Sequence, residues 1–296
     1  MKVSVLTPVY NRAKTLERLY KSLLLNLKYG IEIEWLIMND GSTDHTAIVI
    51  ENFIKEERLT IKYFYQDNQG KMAALNHLVP KATGDVIIEC DSDDYFTEDA
   101  FKILSEKYSI LEMDPELYAL SFLKYDLQNK NIGNSFPCDH CKSTMFDLYF
   151  KQGVYGEKVL VFKTEIRKQY EYKIEPGEKF STEARMYHQM DLDFKIQCFN
   201  EPLMLCEYQA DGYTKNIYQV FKENPKGHYA YFQEMFLHNM KGIKFSKRVY
   251  MIKHYILFTT LTHSKNSFSR VKGLLNQILY LLFYLPGSLK TKKLFK

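Results

Sequence analysis

The sequence predicts an α/β fold: a mostly parallel sheet flanked by helices, followed by an α-helical extension. Three observations carry this. Short apolar runs alternate with amphipathic stretches through residue 90. The polar residues between them follow the runs read as strands, where open α/β sheets bind ligands. From Lys241 onward the chain holds 12 Lys and Arg, no Asp or Glu, and long apolar stretches. At 296 residues, 46% hydrophobic and 26% charged, the chain suits one large domain or a domain with a smaller appendage.

Lys2–Leu6 alternates as a strand and is interrupted by Thr7-Pro8. Leu16, Leu19, Tyr20, Leu23, Leu24 and Leu27 recur at helical spacing, and Gly30 ends that helix. Ile33–Met38 is a second strand. Asn39–Asp44 turns and caps a helix with Ala47, Ile50, Phe53 and Ile54 on its apolar face. Ile61–Tyr65 is a third strand, Asp67–Gly70 a turn, and Lys71–Leu78 a helix. Val86–Glu89 is a fourth, buried strand. The order predicts parallel strands with right-handed crossovers.

The fourth strand stops at Asp91-Ser92-Asp93-Asp94. Three clustered carboxylates repel one another unless a cation or a solvated turn relieves them. Oxygen ligands of this kind suit Mg²⁺ or Mn²⁺, which take one or two carboxylates and then substrate phosphates. The residues point to a metal-assisted site for a phosphorylated ligand, and equally allow an acidic turn before the helix that Thr97-Glu98-Asp99 would start. Four polar loops, Thr7–Arg12, Asn39–Asp44, Asp67–Lys71 and Asp91–Asp94, share one sheet edge and predict a nucleotide-sized cleft. Neither GxGxxG nor GxxxxGK[ST] is present.

The first 240 residues carry 28 basic and 36 acidic side chains. A mildly acidic body thus precedes a basic, aromatic tail, which predicts an anionic surface as partner. Five cysteines with no apolar leader predict a cytoplasmic chain with free thiols. Cys138-Asp139-His140-Cys141 lacks a second ligand pair for zinc and reads as a loop with two thiols. The stretches Val249–Leu261 and Leu274–Leu285 carry flanking Lys and Arg. They suit helices lying on a membrane interface, or a bundle packed on the catalytic part or on a second copy in a homo-oligomer.

The runs Val5–Arg12, Asn39–Asp44, Gln69-Gly70-Lys71 with Asn76, Thr83-Gly84-Asp85 and Asp91–Asp94 resemble, in order and spacing, a family 2 glycosyltransferase of GT-A fold. Tyr155–Lys158, Gly177–Glu183, Asn200–Leu203 and 207–214 resemble the acceptor side of one branch. The resemblance implies a catalytic domain over 1–216, with 1–100 holding the nucleotide-sugar and 101–216 the acceptor, and 217–296 as the helical region. It implies inverting transfer from a nucleotide-sugar, a UDP-sugar above all, to a glycan or lipid-linked acceptor in cell-surface polysaccharide synthesis, on the inner face of the membrane.

It also implies roles. Asp93 would bind Mn²⁺ or Mg²⁺. Asp91 would reach the ribose or a metal-bound water, with Ser92 beside the nucleotide and Asp94 behind. Thr7, Pro8, Tyr10 and Arg12 would border base and ribose. Asp40 would accept from uracil N3–H, and Lys71 would meet base or diphosphate charge. Glu183 would be the general base, although Thr182-Glu183-Ala184 departs from the family's Glu-Asp, with Glu178 in reserve. Glu157 and Asp211 would touch sugar, and Gly212-Tyr213-Thr214 would form a lid. A sugar-phosphate nucleotidyltransferase would show a glycine-rich loop after the first strand, where this chain has Thr-Pro-Val-Tyr-Asn-Arg. A nucleic-acid-binding protein would not interleave its basic residues with long apolar runs. No nucleic-acid partner is expected.

Overall fold

A computed structural model describes residues 1–207 and 216–295. The residues divide into two compact units. The first takes Met1–Thr144, Val154–Tyr172 and the described part of Asp193–Ala210. The second takes Met145–Gly153, Lys173–Leu192 and the described residues of 211–296. Residues 145–153 and 173–192, expected with the catalytic part, therefore group with the C-terminal helices.

The first unit is a mixed nine-stranded sheet with helices. Its strands are β1 (Lys2–Val9), β2 (Glu32–Asp40), β3 (Thr60–Gln66), β4 (Val86–Glu89), β5 (Asp94–Phe96), β6 (Leu117–Asp126), β7 (Lys142–Ser143), β8 (Lys158–Lys163) and β9 (Lys195–Cys206). The order is β3-β2-β1-β4-β8-β6-β9-β5, with β7 also on β9. Its helices are α1 (Leu16–Asn26), α2 (Thr46–Lys55), α3 (Lys71–Leu78), α4 (Ala100–Met113) and, after α5 of the second unit (Met145–Asp147), α6 (Thr164–Arg167). The first four strands are parallel, as the alternation predicts. Beyond them β8 runs antiparallel to β4 and β6, so the sheet is mixed.

β1 runs through Thr7-Pro8 to Val9 instead of stopping at Leu6. The cause is local. β4 pairs with β1 only as far as Leu6–Glu89, so beyond that point β1 has one neighbour and the missing proline N–H is tolerated. The core on one side of the sheet stacks Tyr20 on Phe53 with centroids 4.2 Å apart and gathers Trp35, Leu23, Ile37 and Phe101.

The second unit holds α5, α7 (Glu183–Met190), α8 (Ile217–Glu223), α9 (Pro225–Glu234), α10 (Phe245–Leu261) and α11 (Leu274–Leu294). Tyr229, Phe232, Ile252, Tyr255, Phe258 and Leu279 form its core. Among the described residues no helix is long and apolar enough to cross a membrane.

The expectation of free thiols holds for Cys90, Cys198 and Cys206 but not for the other two: Cys138 and Cys141 pair as a disulfide. The turn through His140, with φ of 57°, brings their Cα atoms to 5.8 Å, within bridging range. Burial pushes the three free thiols up, which makes them unreactive.

Candidate functional site

The loops that leave β1, β2, β3 and β4 are tied to one another by side-chain bonds. Asn11, at φ 52°, accepts from Thr43 N at 2.8 Å and Asp44 N at 3.3 Å. Its own N–H donates to Ser42 Oγ at 3.0 Å, and Arg12 N donates to Thr46 Oγ1 at 3.0 Å. The second loop is joined to the third through Asp40. Its carboxylate accepts from Gln66 Nε2 at 2.7 Å, Gln69 N at 2.8 Å and Gly70 N at 2.8 Å. Gly41, at φ +75°, lies so close to Asn68 that a Cβ there would meet its backbone N at 2.8 Å. The third loop reaches the fourth through Lys71, whose Nζ is 2.6 Å from Asp91 Oδ1. Asp40, Asp91 and Asp93 thus line one connected rim.

Each predicted residue takes a definite place. Tyr10 is 47% exposed and Arg12 half-buried, both open to a ligand. Thr7 is corrected: it is fully buried, and its Oγ1 accepts from the Trp35 indole at 2.9 Å. The hydroxyl is a brace inside the sheet and cannot border a base. Pro8 is buried beside it. Asp40 is 3% exposed, and Oδ2 retains acceptor capacity beyond the Gly70 bond. Lys71 meets a carboxylate before any ligand arrives.

The acidic turn has graded charge. Asp94 N donates to Asp91 O at 3.0 Å, which closes the turn. Burial works against the Asp91 charge, but Lys71 and Lys124 outweigh it and hold its carboxyl low. Burial and the Asp91 charge push Asp93 up. Burial pushes Asp94 up to about 7, with Lys124 pulling the other way. The Lys124 Nζ, on β6, sits 2.6 Å from Asp94 Oδ2 and 2.7 Å from Glu157 Oε2. The Lys124 side chain is 9% exposed and that of Asp94 3%. Arg18 on α1 donates to Asp93 O at 3.3 Å and pairs with Glu207 at 2.8 Å. Among the described residues no three His, Cys, Asp or Glu side chains form a metal cage. An oxygen-only pair at Asp91 and Asp93 instead suits a cation completed by phosphates.

Below the turn, Glu89 is clamped by Arg167, with Nε and Nη2 each 2.8 Å from Oε1, and by the Tyr172 hydroxyl at 2.5 Å. Asn76 fixes Tyr172 through two reciprocal backbone bonds of 2.9 Å. Gly133 and Gly156, both at positive φ, let two loops pass backbone to backbone and set Glu157 under Lys124.

Lys124, Arg18 and the Arg167–Glu89 pair were absent from the sequence reading. A lysine inside the apolar run Leu117–Leu123 and its continuation was the available signal, since buried lysines require a partner.

In the second unit, Glu183 starts α7 behind Thr182. Arg185 in the same helix is locked by Glu234 at 2.8 Å and Glu175 at 3.0 Å. Glu178, the reserve base, accepts Lys226 N at 2.7 Å and Gly227 N at 2.8 Å on its two oxygens. It satisfies the open N–H groups at the start of α9. Asp211 and the Gly212-Tyr213-Thr214 lid lie outside the described residues.

Comparison with known proteins agrees with this arrangement. Residues 4–114 match the model for Glycosyl transferase family 2. An uncharacterized glycosyltransferase of Mycoplasma genitalium is 36% identical over 112 residues, 37% of this chain and 37% of that protein. Another, from Rickettsia conorii, is 40% identical over 102 residues, 34% of this chain and 16% of that one. The chain therefore spans well under half the length of these relatives. In three dimensions the chain is similar to residues 1–349 of S. aureus TarS, with TM-score 0.63 and 17% identity over 98% of this chain and 81% of that one. A TarS structure in complex with UDP-GlcNAc gives TM-score 0.62 at 17% identity over the same shares. The mannosyltransferase PcManGT from Pyrobaculum calidifontis, in complex with GDP-Man and Mn²⁺, gives 0.55 at 14% over 98% and 83%. These structural likenesses establish the GT-A fold.

Proposed function

We infer that this chain, whose residues 4–114 match the model for Glycosyl transferase family 2, transfers a sugar from a nucleotide donor to an acceptor hydroxyl. The observation that carries the reading is the chain of side-chain links that draws four loops, and with them Asp40, Asp91 and Asp93, onto one rim. We take the donor to be a UDP-sugar; the UDP-GlcNAc complex of the structurally similar TarS supports this.

Asp93 and Asp91 would hold Mg²⁺ or Mn²⁺, which when bound supplies Lewis-acid stabilisation to the departing diphosphate. The raised Asp93 carboxyl fits this, because a cation would offset the burial and the Asp91 repulsion that lift it. Lys71 neutralises Asp91 and stands ready to share its charge with a phosphate. Tyr10 offers an exposed ring to a base, and Asp40 Oδ2 can still accept an N–H. Arg18 and Lys124 keep the acidic turn in shape from behind. Glu183 is assigned as the general base that takes the acceptor proton, in a transfer that inverts the anomeric centre. The acceptor we assign is a glycan or lipid-linked hydroxyl in surface-polysaccharide synthesis.

The test is a calorimetric and thermal-shift screen of UDP-, GDP- and CDP-sugars with and without Mn²⁺. Metal-dependent binding of a UDP-sugar is the expected result. Binding of none, or metal-independent binding, would remove the assignment.

A further inference from the structure

α11 is largely apolar from Leu274 to Leu289 but packed on one side only. Asn276, Leu279, Tyr280 and Thr291 are buried, Phe283 joins the core around α10, and Gly287 lies against Ile256. On the opposite side Leu274, Ile278, Leu281, Leu282, Leu285 and Leu289 are each between 45% and 74% exposed. At helical spacing these six fall within an arc of about 100° and run for about 22 Å. No charged side chain interrupts the stripe, and exposed Lys292 and Lys293 follow at its end. An apolar patch of this extent marks an interaction surface.

What covers it follows from charge and length. From Lys241 to the end of the sequence 12 Lys and Arg stand without one Asp or Glu. A second copy meeting this face with its own would set basic tail against basic tail, with no carboxylate in either to pair. α11 has the length of a spanning helix but is not apolar enough to cross a bilayer, and Pro286 interrupts the helical hydrogen bonding midway. We propose that this face of α11 docks on the anionic surface of a phospholipid bilayer, lying in the interface plane with its leucines among the upper acyl chains and its lysines at the headgroups. Docking of this kind does not involve the acidic turn and stands or falls separately from sugar transfer.

The experiment is co-sedimentation of the full chain with phosphatidylcholine vesicles, with and without about one quarter phosphatidylglycerol. UDP binding and circular dichroism are followed in parallel, together with the oligomeric state by analytical ultracentrifugation. Vesicles containing phosphatidylglycerol should bind roughly tenfold tighter or more, and added salt should weaken them. Leu281→Glu with Leu285→Glu should cut binding by about tenfold or more, with the circular dichroism and UDP binding unchanged, because both positions are already exposed. Lys292→Glu with Lys293→Glu should remove most of the preference for the anionic lipid. Failure to bind vesicles, equal affinity for the two lipid mixtures, or undiminished binding by the leucine variant would overturn the proposal. So would a concentration-dependent dimer, dissolved by the leucine substitutions, in a chain that vesicles do not capture.

Discussion

Replacing Lys124 with Met tests how the acidic turn is held. The lysine reaches Asp94 at 2.6 Å and Glu157 at 2.7 Å. Glu157 is 42% exposed, so water replaces the lysine there and the loss is small. Asp94 is 3% exposed, and without Lys124 it is a buried carboxylate beside Asp91 and Asp93. Removing one member of a buried ion pair costs about 3–5 kcal/mol; without Lys124 the buried Asp94, already up at about 7, must either keep its charge unpaired or take up a proton far above the ordinary carboxylate range. We therefore expect Lys124→Met to lose about 3–4 kcal/mol in urea unfolding at pH 7. Asp94→Asn added to it should restore at least about 2 kcal/mol, because an amide needs neither a counter-ion nor a proton there. A loss below about 1 kcal/mol, or strict additivity of the two substitutions, would refute the assignment of Lys124 as internal counter-ion.

Glu34 gives a pH test. Burial opposes its charge, but Lys62 at 2.7 Å, Ser4 at 2.5 Å and two bonds from Thr83 at 2.6 Å and 2.9 Å win and hold its carboxyl at about 2. A depressed folded pKa stabilises above the unfolded value of 4.5 and is lost as pH falls from there toward 2, so acidification should cost about 2–3 kcal/mol, allowing for the partly open Lys62. Glu34→Gln should flatten that slope; an unchanged slope in the variant would assign the acid sensitivity elsewhere. Asp93→Asn should abolish Mn²⁺-dependent nucleotide binding while the unfolding midpoint holds or rises, since a strained carboxylate is removed. Identical calorimetric titrations in wild type and variant would take Asp93 away from the cation. Glu183→Gln should retain donor binding and lose transfer by about 10²-fold or more, and full turnover would move the base to another residue.

The parallel half of the sheet was legible because each strand is an apolar run and each helix a 3.6-residue stripe. The loops were legible as polar punctuation, and the bonds between them show why asparagine, aspartate and glycine occupy those positions. What stayed hidden depends on distant partners. Nothing near Thr7 in the chain shows that Trp35 takes its hydroxyl, and nothing near Glu178 shows that α9 begins beside it. The antiparallel strands past β4 were also unreadable, since their pairing is set by register with segments far along the chain. The Cys138–Cys141 pair was missed because the left-handed turn at His140, not the spacing, brings the sulfurs together.

The pairing of β5 bears on how little of the chain can be cut away. Among the described residues Asp94, Tyr95 and Phe96 add to the sheet only through Cys206, Leu205 and Met204 of β9, and the outer neighbour of β4 is β8. A fragment ending where the family match ends, at residue 114, would keep every polar loop yet leave β4 as a bare edge and the acidic turn without its anchoring strand. The smallest piece able to keep that turn in its present shape must therefore extend through Cys206, nearly twice as far along the chain as similarity to the family alone would suggest.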